Sequence, residues 1–195
     1  MSAFPAADPI APDASRSRDS PRRIAIVRAV LALAWAVALV IVVGDEVPST
    51  SSDVPIAAAF LLASYPAIDV VASIAGALGT GASARALRVN AAIGVLAVVA
   101  IGATAFGADA GATLAAFGSW AAVSGAIQFA VAVRLRRTEG HQLPMIVSGG
   151  LSTIAGLAFV ASSGMEDAHL AGVGGYMALG AVLFLLSAHR GRTAR

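Results

Sequence analysis

The sequence predicts an all-α integral membrane protein with six transmembrane helices arranged as three tandem helical hairpins. Three observations carry that expectation. The charges are too few for a water-facing surface, six apolar runs approach membrane-spanning length, and an aromatic position recurs about every 56 residues.

Only 12% of the 195 residues are charged and 58% are hydrophobic, with a mean hydropathy of +0.83. Soluble domains carry about 25% charged residues, so most of this surface must face something other than water, namely membrane lipid. All thirteen basic residues are arginine, a usage typical of bacterial genes rich in G and C. They form short groups separated by long apolar runs, so no continuous basic face arises and nucleic-acid binding is not expected. No cysteine is present, which excludes disulfides and thiolate metal sites.

Residues 1–21, rich in Pro, Ala, Ser and Asp, read as a disordered cytoplasmic tail. Six runs follow, at roughly 24–43, 54–78, 89–106, 112–133, 144–163 and 168–188, and the membrane domain spans 22–190. A helix crossing the hydrocarbon core needs about 20 apolar residues, which makes the third run short. The fifth opens at Pro144, suited to a first helical turn. The first run is too long for the apolar part of a signal peptide, about 7–15 residues, so it reads as a retained span.

The arginines set the orientation. Arg16, Arg18, Arg22, Arg23 and Arg28 precede or open the first run; Arg85 and Arg88 fall between the second and third; Arg134, Arg136 and Arg137 fall between the fourth and fifth; Arg190, Arg192 and Arg195 follow the sixth. The other connections, "GDEVPSTSSD", "GADAG" and "SGMEDA", carry none. The positive-inside rule places both termini in the cytoplasm of a bacterial inner-membrane protein.

The even-numbered runs share a small residue followed by a large aromatic: Ser64-Tyr65, Ser119-Trp120 and Gly175-Tyr176, 55 and 56 positions apart. That period is a pair of helices. Two spans per unit preserve orientation, so the hairpins would be related about an axis along the membrane normal. Together with the "SGAIQ" interior and "VRLRR" exit of the fourth run, and "SGGLSTIAG" in the fifth, this pattern resembles the HdeD family of bacterial six-span membrane proteins over about residues 22–190. Arg28 at the start of the first run and Asp69 after "YPAI" also fit it. The resemblance implies a non-enzymatic protein of envelope or acid-stress tolerance, without a cofactor and with no assigned molecular activity.

Asp69 is the residue singled out, because it lies inside an apolar run. A charged group there costs about 2.5–3.5 kcal/mol on insertion scales and needs a partner or water. Two readings stand open: a proton- or cation-responsive group in a small transporter or channel, or a structural hydrogen bond to Ser124, Gln128 or Asn90. Helical spacing puts Tyr65, Asp69 and Ser73 on one face of the second span. Trp120, Ser124 and Gln128 occupy the equivalent face of the fourth, and Tyr176, Gly180 and Phe184 that of the sixth. Pro66 is expected to kink the second span beside Asp69. Glu166, Asp167 and His169 cluster in an outer loop, with His141 and His189 on the opposite side, so no three-histidine metal site is expected. Pairs such as Ala121/Gly125 and Ser152/Gly156 permit close helix approach but recur by chance in so alanine-rich a chain. Six helices of small residues make a thin bundle, which leaves homo-oligomerisation open.

Overall fold

The computed structural model describes residues 14–44, 47, 49–78, 82–137, 142–166 and 170–190; for 14–22, 24, 25, 82, 83 and 187–190 only the backbone is described. Among the described residues every regular element is a helix: α1 (Ala14–Val43), α2 (Ile56–Gly76), α3 (Ala82–Gly107), α4 (Ala110–Leu135), α5 (Leu143–Ser162) and α6 (Ala171–Arg190). Helices α1 to α5 are long and apolar enough to cross a membrane, whereas the apolar part of α6, Ala171–Leu186, is shorter. Several such helices in one chain make this a multi-pass membrane protein.

The helices differ from the apolar runs at their polar ends. α1 starts at Ala14, inside the segment read as a tail; residues 1–13 of that segment lie outside the described residues. α3 starts at Ala82 and has 26 residues rather than the expected short span. In both cases an established helix extends cheaply into polar sequence, one backbone hydrogen bond per added residue, so hydropathy marks the apolar part and not the helix. Asp109 caps α4, its carboxylate accepting from the Ala112 N–H at 2.7 Å. Pro144 sits in the first turn of α5, as expected. α2 runs on through Pro66.

Each helix packs against its neighbours in sequence, and α6 closes on α1, giving a ring. The tightest pairs are α4/α5, α2/α3 and α1/α6; the pairs α1/α2, α3/α4 and α5/α6, which the hairpin reading grouped, are looser. The period of 56 residues defines a two-helix unit but not which of its two interfaces is closest. The ring's interior is small and tightly filled, with Ala32, Ala36, Ala58 and Ala59 buried beside Leu39, Leu62 and Leu114. Its outside carries large aliphatics, among them Ile41 at 75% and Ile56 at 71% exposure. This arrangement suits lipid as solvent.

At the end away from the arginines, the connections tie to each other. Gly111 N–H donates to Thr50 O at 2.7 Å, Ala110 N–H to Ser52 O at 2.9 Å, and the Thr50 hydroxyl to Met165 O at 2.9 Å.

The α4/α5 interface is close because glycines face each other across it. A Cβ on Gly118 would lie 2.6 Å from Gly156 O, and one on Gly125 would lie 2.8 Å from Gly149 O. The operative pairs are thus Gly118/Gly156 and Gly125/Gly149, seven residues apart on each helix, rather than neighbours within one helix. Gly118→Ala or Gly156→Ala should therefore lower stability by about 1–3 kcal/mol, the usual cost of overpacking. Gly175→Ala, whose Cβ would meet nothing within 4 Å, should be close to neutral. Unfolding midpoints of the three variants in detergent would check this.

Candidate functional site

Asp69, three residues past the middle of α2, meets Arg28 of α1 in an ion pair, Arg28 Nη2 on Asp69 Oδ1. The two side chains are 14% and 22% exposed, respectively. The other carboxylate oxygen, Oδ2, accepts from Asn90 Nδ2 of α3. Asn90 Nδ2 also lies 3.0 Å from Ser73 Oγ, and Asn90 Oδ1 accepts from the Ser124 hydroxyl of α4 at 2.7 Å. One connected chain of polar contacts therefore crosses α1, α2, α3 and α4. Arg28 also stacks on α6, its Cζ 4.2 Å from the Phe184 ring centroid, an attraction between guanidinium and π-face. Gln128 turns to the fifth helix, with Nε2 3.4 Å from Met145 O.

Nearer the opposite end lies an aromatic cluster around Phe117, which is fully buried. Tyr65, Trp120, Phe159 and Tyr176 each have ring centroids 5.4–6.2 Å from Phe117. The three repeated aromatics thus converge on one centre. Tyr176 donates to Ser152 Oγ at 3.2 Å. Tyr65 finds no hydrogen-bond partner among the described residues. Trp120, 7% exposed, has its Nε1–H buried without a partner among them. A buried donor left unmatched costs about 1–3 kcal/mol.

Between the ion pair and the aromatic cluster is a cavity of about 50 Å³. All six residues singled out from sequence line it: Tyr65, Asp69, Trp120, Ser124, Gln128 and Tyr176. Toward the arginine-rich end it adjoins a vestibule of about 200 Å³, bounded by Asn90, Leu135, Gln142 and Met145. Arg28, Asp69, Ser124 and Gln128 line both spaces, so the ion pair stands at the boundary between them. A third, apolar groove of about 310 Å³ runs between α5 and α6 and shares Ser148, Ser152, Tyr176 and Gly180 with the cavity. Past the aromatics, Leu39, Leu62 and Leu114 are buried and fill the ring.

Comparison of the chain with protein-family models, with curated proteins and with solved structures finds no match. The site's own geometry carries the functional reading.

Of the partners considered for Asp69, Asn90 binds it directly, Ser124 reaches it only through Asn90, and Gln128 does not reach it. Arg28, its charged partner, was missed, as were Phe117, Ser148 and Ser152. A signal for Arg28 was present. Counted from the ends of α1 and α2 that face away from the arginines, Arg28 and Asp69 sit 15 and 13 residues deep. At 1.5 Å per residue the two charges are level on antiparallel neighbours. Among the described residues no group of three His, Asp or Glu is placed to hold a metal ion. Asp167, His169 and His141, and the His189 side chain, lie outside them.

Removing one member of the pair strands the other. Asp69→Ala or Arg28→Ala should cost about 3 kcal/mol, the low end for breaking a buried pair because both groups keep some exposure. The double variant Arg28→Ala/Asp69→Ala should cost clearly less than the two single changes added together. A double-mutant cycle of unfolding free energies in detergent measures that difference.

Proposed function

We propose that the chain is a six-span, non-enzymatic protein of the bacterial inner membrane with both termini in the cytoplasm, and that its helix ring admits a small polar solute to the axial cavity from the cytoplasmic side. The observation that supports this reading is the shared lining of vestibule and cavity, with Arg28 and Asp69 at the threshold. An ionisable group inside a membrane domain is by default a candidate member of a solute or proton pathway. A cavity of about 50 Å³ holds a few water molecules, which limits the guest to a few heavy atoms. Admission of such a guest could serve the envelope or acid-stress tolerance that the HdeD resemblance implies.

Asp69 acts here as half of a pair rather than as a lone carboxylate, since Arg28 and Asn90 already occupy both its oxygens. That same satisfaction favours a second reading, in which the polar chain serves only to hold the helices in register.

The absence of native cysteine makes the two readings separable by thiol labelling. Gln128→Cys and Ser124→Cys should react with a small membrane-impermeant methanethiosulfonate or with silver ion applied from the cytoplasmic side, and Leu114→Cys should resist the reagents from either side. Protection of Ser124→Cys and Gln128→Cys from both sides would leave only the structural reading.

A further inference from the structure

We propose that the axial cavity is a binding site for a compact monovalent anion, of halide or carboxylate chemistry. This rests on the reading above, that a small polar solute is admitted to the cavity from the cytoplasmic side, and names the class of solute. The first ground is the balance of donors and acceptors. The Trp120 Nε1–H can only donate and has no partner among the described residues. Tyr65 brings a hydroxyl with no hydrogen bond among the described residues, and Arg28 brings a five-donor guanidinium of which the Asp69 contact uses Nη2. The charged acceptor is already engaged, Asp69 Oδ1 by Arg28 and Asp69 Oδ2 by Asn90, and Ser152 Oγ accepts from Tyr176; the Gln128 amide oxygen and the Ser148 hydroxyl are neutral. A cation would meet a carboxylate already neutralised by the Arg28 guanidinium, whereas an anion would find the Trp120 N–H waiting.

The second ground is the approach. The vestibule opens at the end of the ring where Arg23, Arg85, Arg88, Arg134, Arg136 and Arg137 lie. Clustered charge of one sign raises the local concentration of the opposite ion. The third ground is size, since a halide or a formate-like carboxylate matches a space of about 50 Å³. Asp69 is the one carboxylate lining the cavity, and its charge is balanced by Arg28, so the ion pair presents no net charge to the guest.

The same anion chemistry could arrive from two sources. A free anion would come through the vestibule. The carboxylate of an acyl chain would enter from the bilayer along the apolar groove between α5 and α6, which shares Ser148, Ser152 and Tyr176 with the cavity.

Trp120 reports on both. The chain has two tryptophans, so Trp35→Phe leaves Trp120 as the sole emitter. In lipid nanodiscs at constant ionic strength, potassium bromide should quench Trp120 with a saturating curve that sodium formate displaces. If the acyl source is the right one, bromide alone acts weakly, and a brominated fatty acid quenches with saturation that formate relieves. Tyr65→Phe keeps the ring packing but removes one donor. It should raise the half-saturating concentration of the effective quencher at least five-fold. Quenching that is absent, or that rises linearly for both probes and is indifferent to Tyr65→Phe, would overturn the site. If Ser124→Cys is nevertheless labelled from the cytoplasmic side, the pathway stands and only the anion is wrong. If labelling fails as well, the pathway itself is wrong.

Discussion

The fold turns on one partly buried ion pair. Arg28 and Asp69 are opposite charges within a bundle whose other interior groups are largely alanine, leucine and glycine. Each alone would carry a desolvation cost of several kcal/mol in such surroundings. Together, and with Asn90 on the remaining carboxylate oxygen, they are compatible with the ring. Satisfying them demands that α1, α2 and α3 meet at one depth. Ser124 extends the demand to α4, and the Phe184 ring under Arg28 extends it to α6. Apolar packing between alanine-rich helices is permissive about register, because one small residue resembles the next. The polar chain is not permissive, and it supplies the register that the apolar surface leaves loose.

Much of this was legible in the sequence, for reasons that differ by residue. The face shared by Tyr65, Asp69, Trp120, Ser124, Gln128 and Tyr176 follows from helical spacing and the 56-residue period, and those six side chains do line one space. Helical geometry is local, and a repeat carries it from one helix to the next. The Arg28–Asp69 contact is not local. It joins residues 41 positions apart, and Arg28 looked like one more cytoplasmic arginine because it stands close to four others. Only its depth distinguishes it from them: all five lie in α1, but Arg28 alone falls within the apolar stretch that begins at Ile26. Gly118 and Gly156 were lost for the opposite reason. Small residues four apart are so frequent here that the informative spacing, seven on each of two facing helices, was hidden among them.

The two ends of the ring are built from different chemistry. At the arginine-rich end, a vestibule of mixed polar and apolar lining reaches the ion pair. At the other, five aromatic rings and three buried leucines occupy the axis, and the connections beyond them are bound together through Thr50, Ser52 and Met165. Edge-to-face aromatic packing is directional, so the cluster is a firm stop. The cavity lies against that stop, so the bundle is hollow toward the arginine-rich end and filled toward the other.

The glycine contacts between α4 and α5 have a mechanical consequence. Where two helices touch backbone to backbone, neither can slide or rotate without meeting main chain, so α4 and α5 behave as one stave of the barrel. The loosest neighbouring pair is α5/α6, beside the apolar groove. Any widening of the ring is thus steered away from the α4/α5 seam and toward the α5/α6 seam. The staves on either side would part there, and the breach would open the cavity sideways, onto lipid.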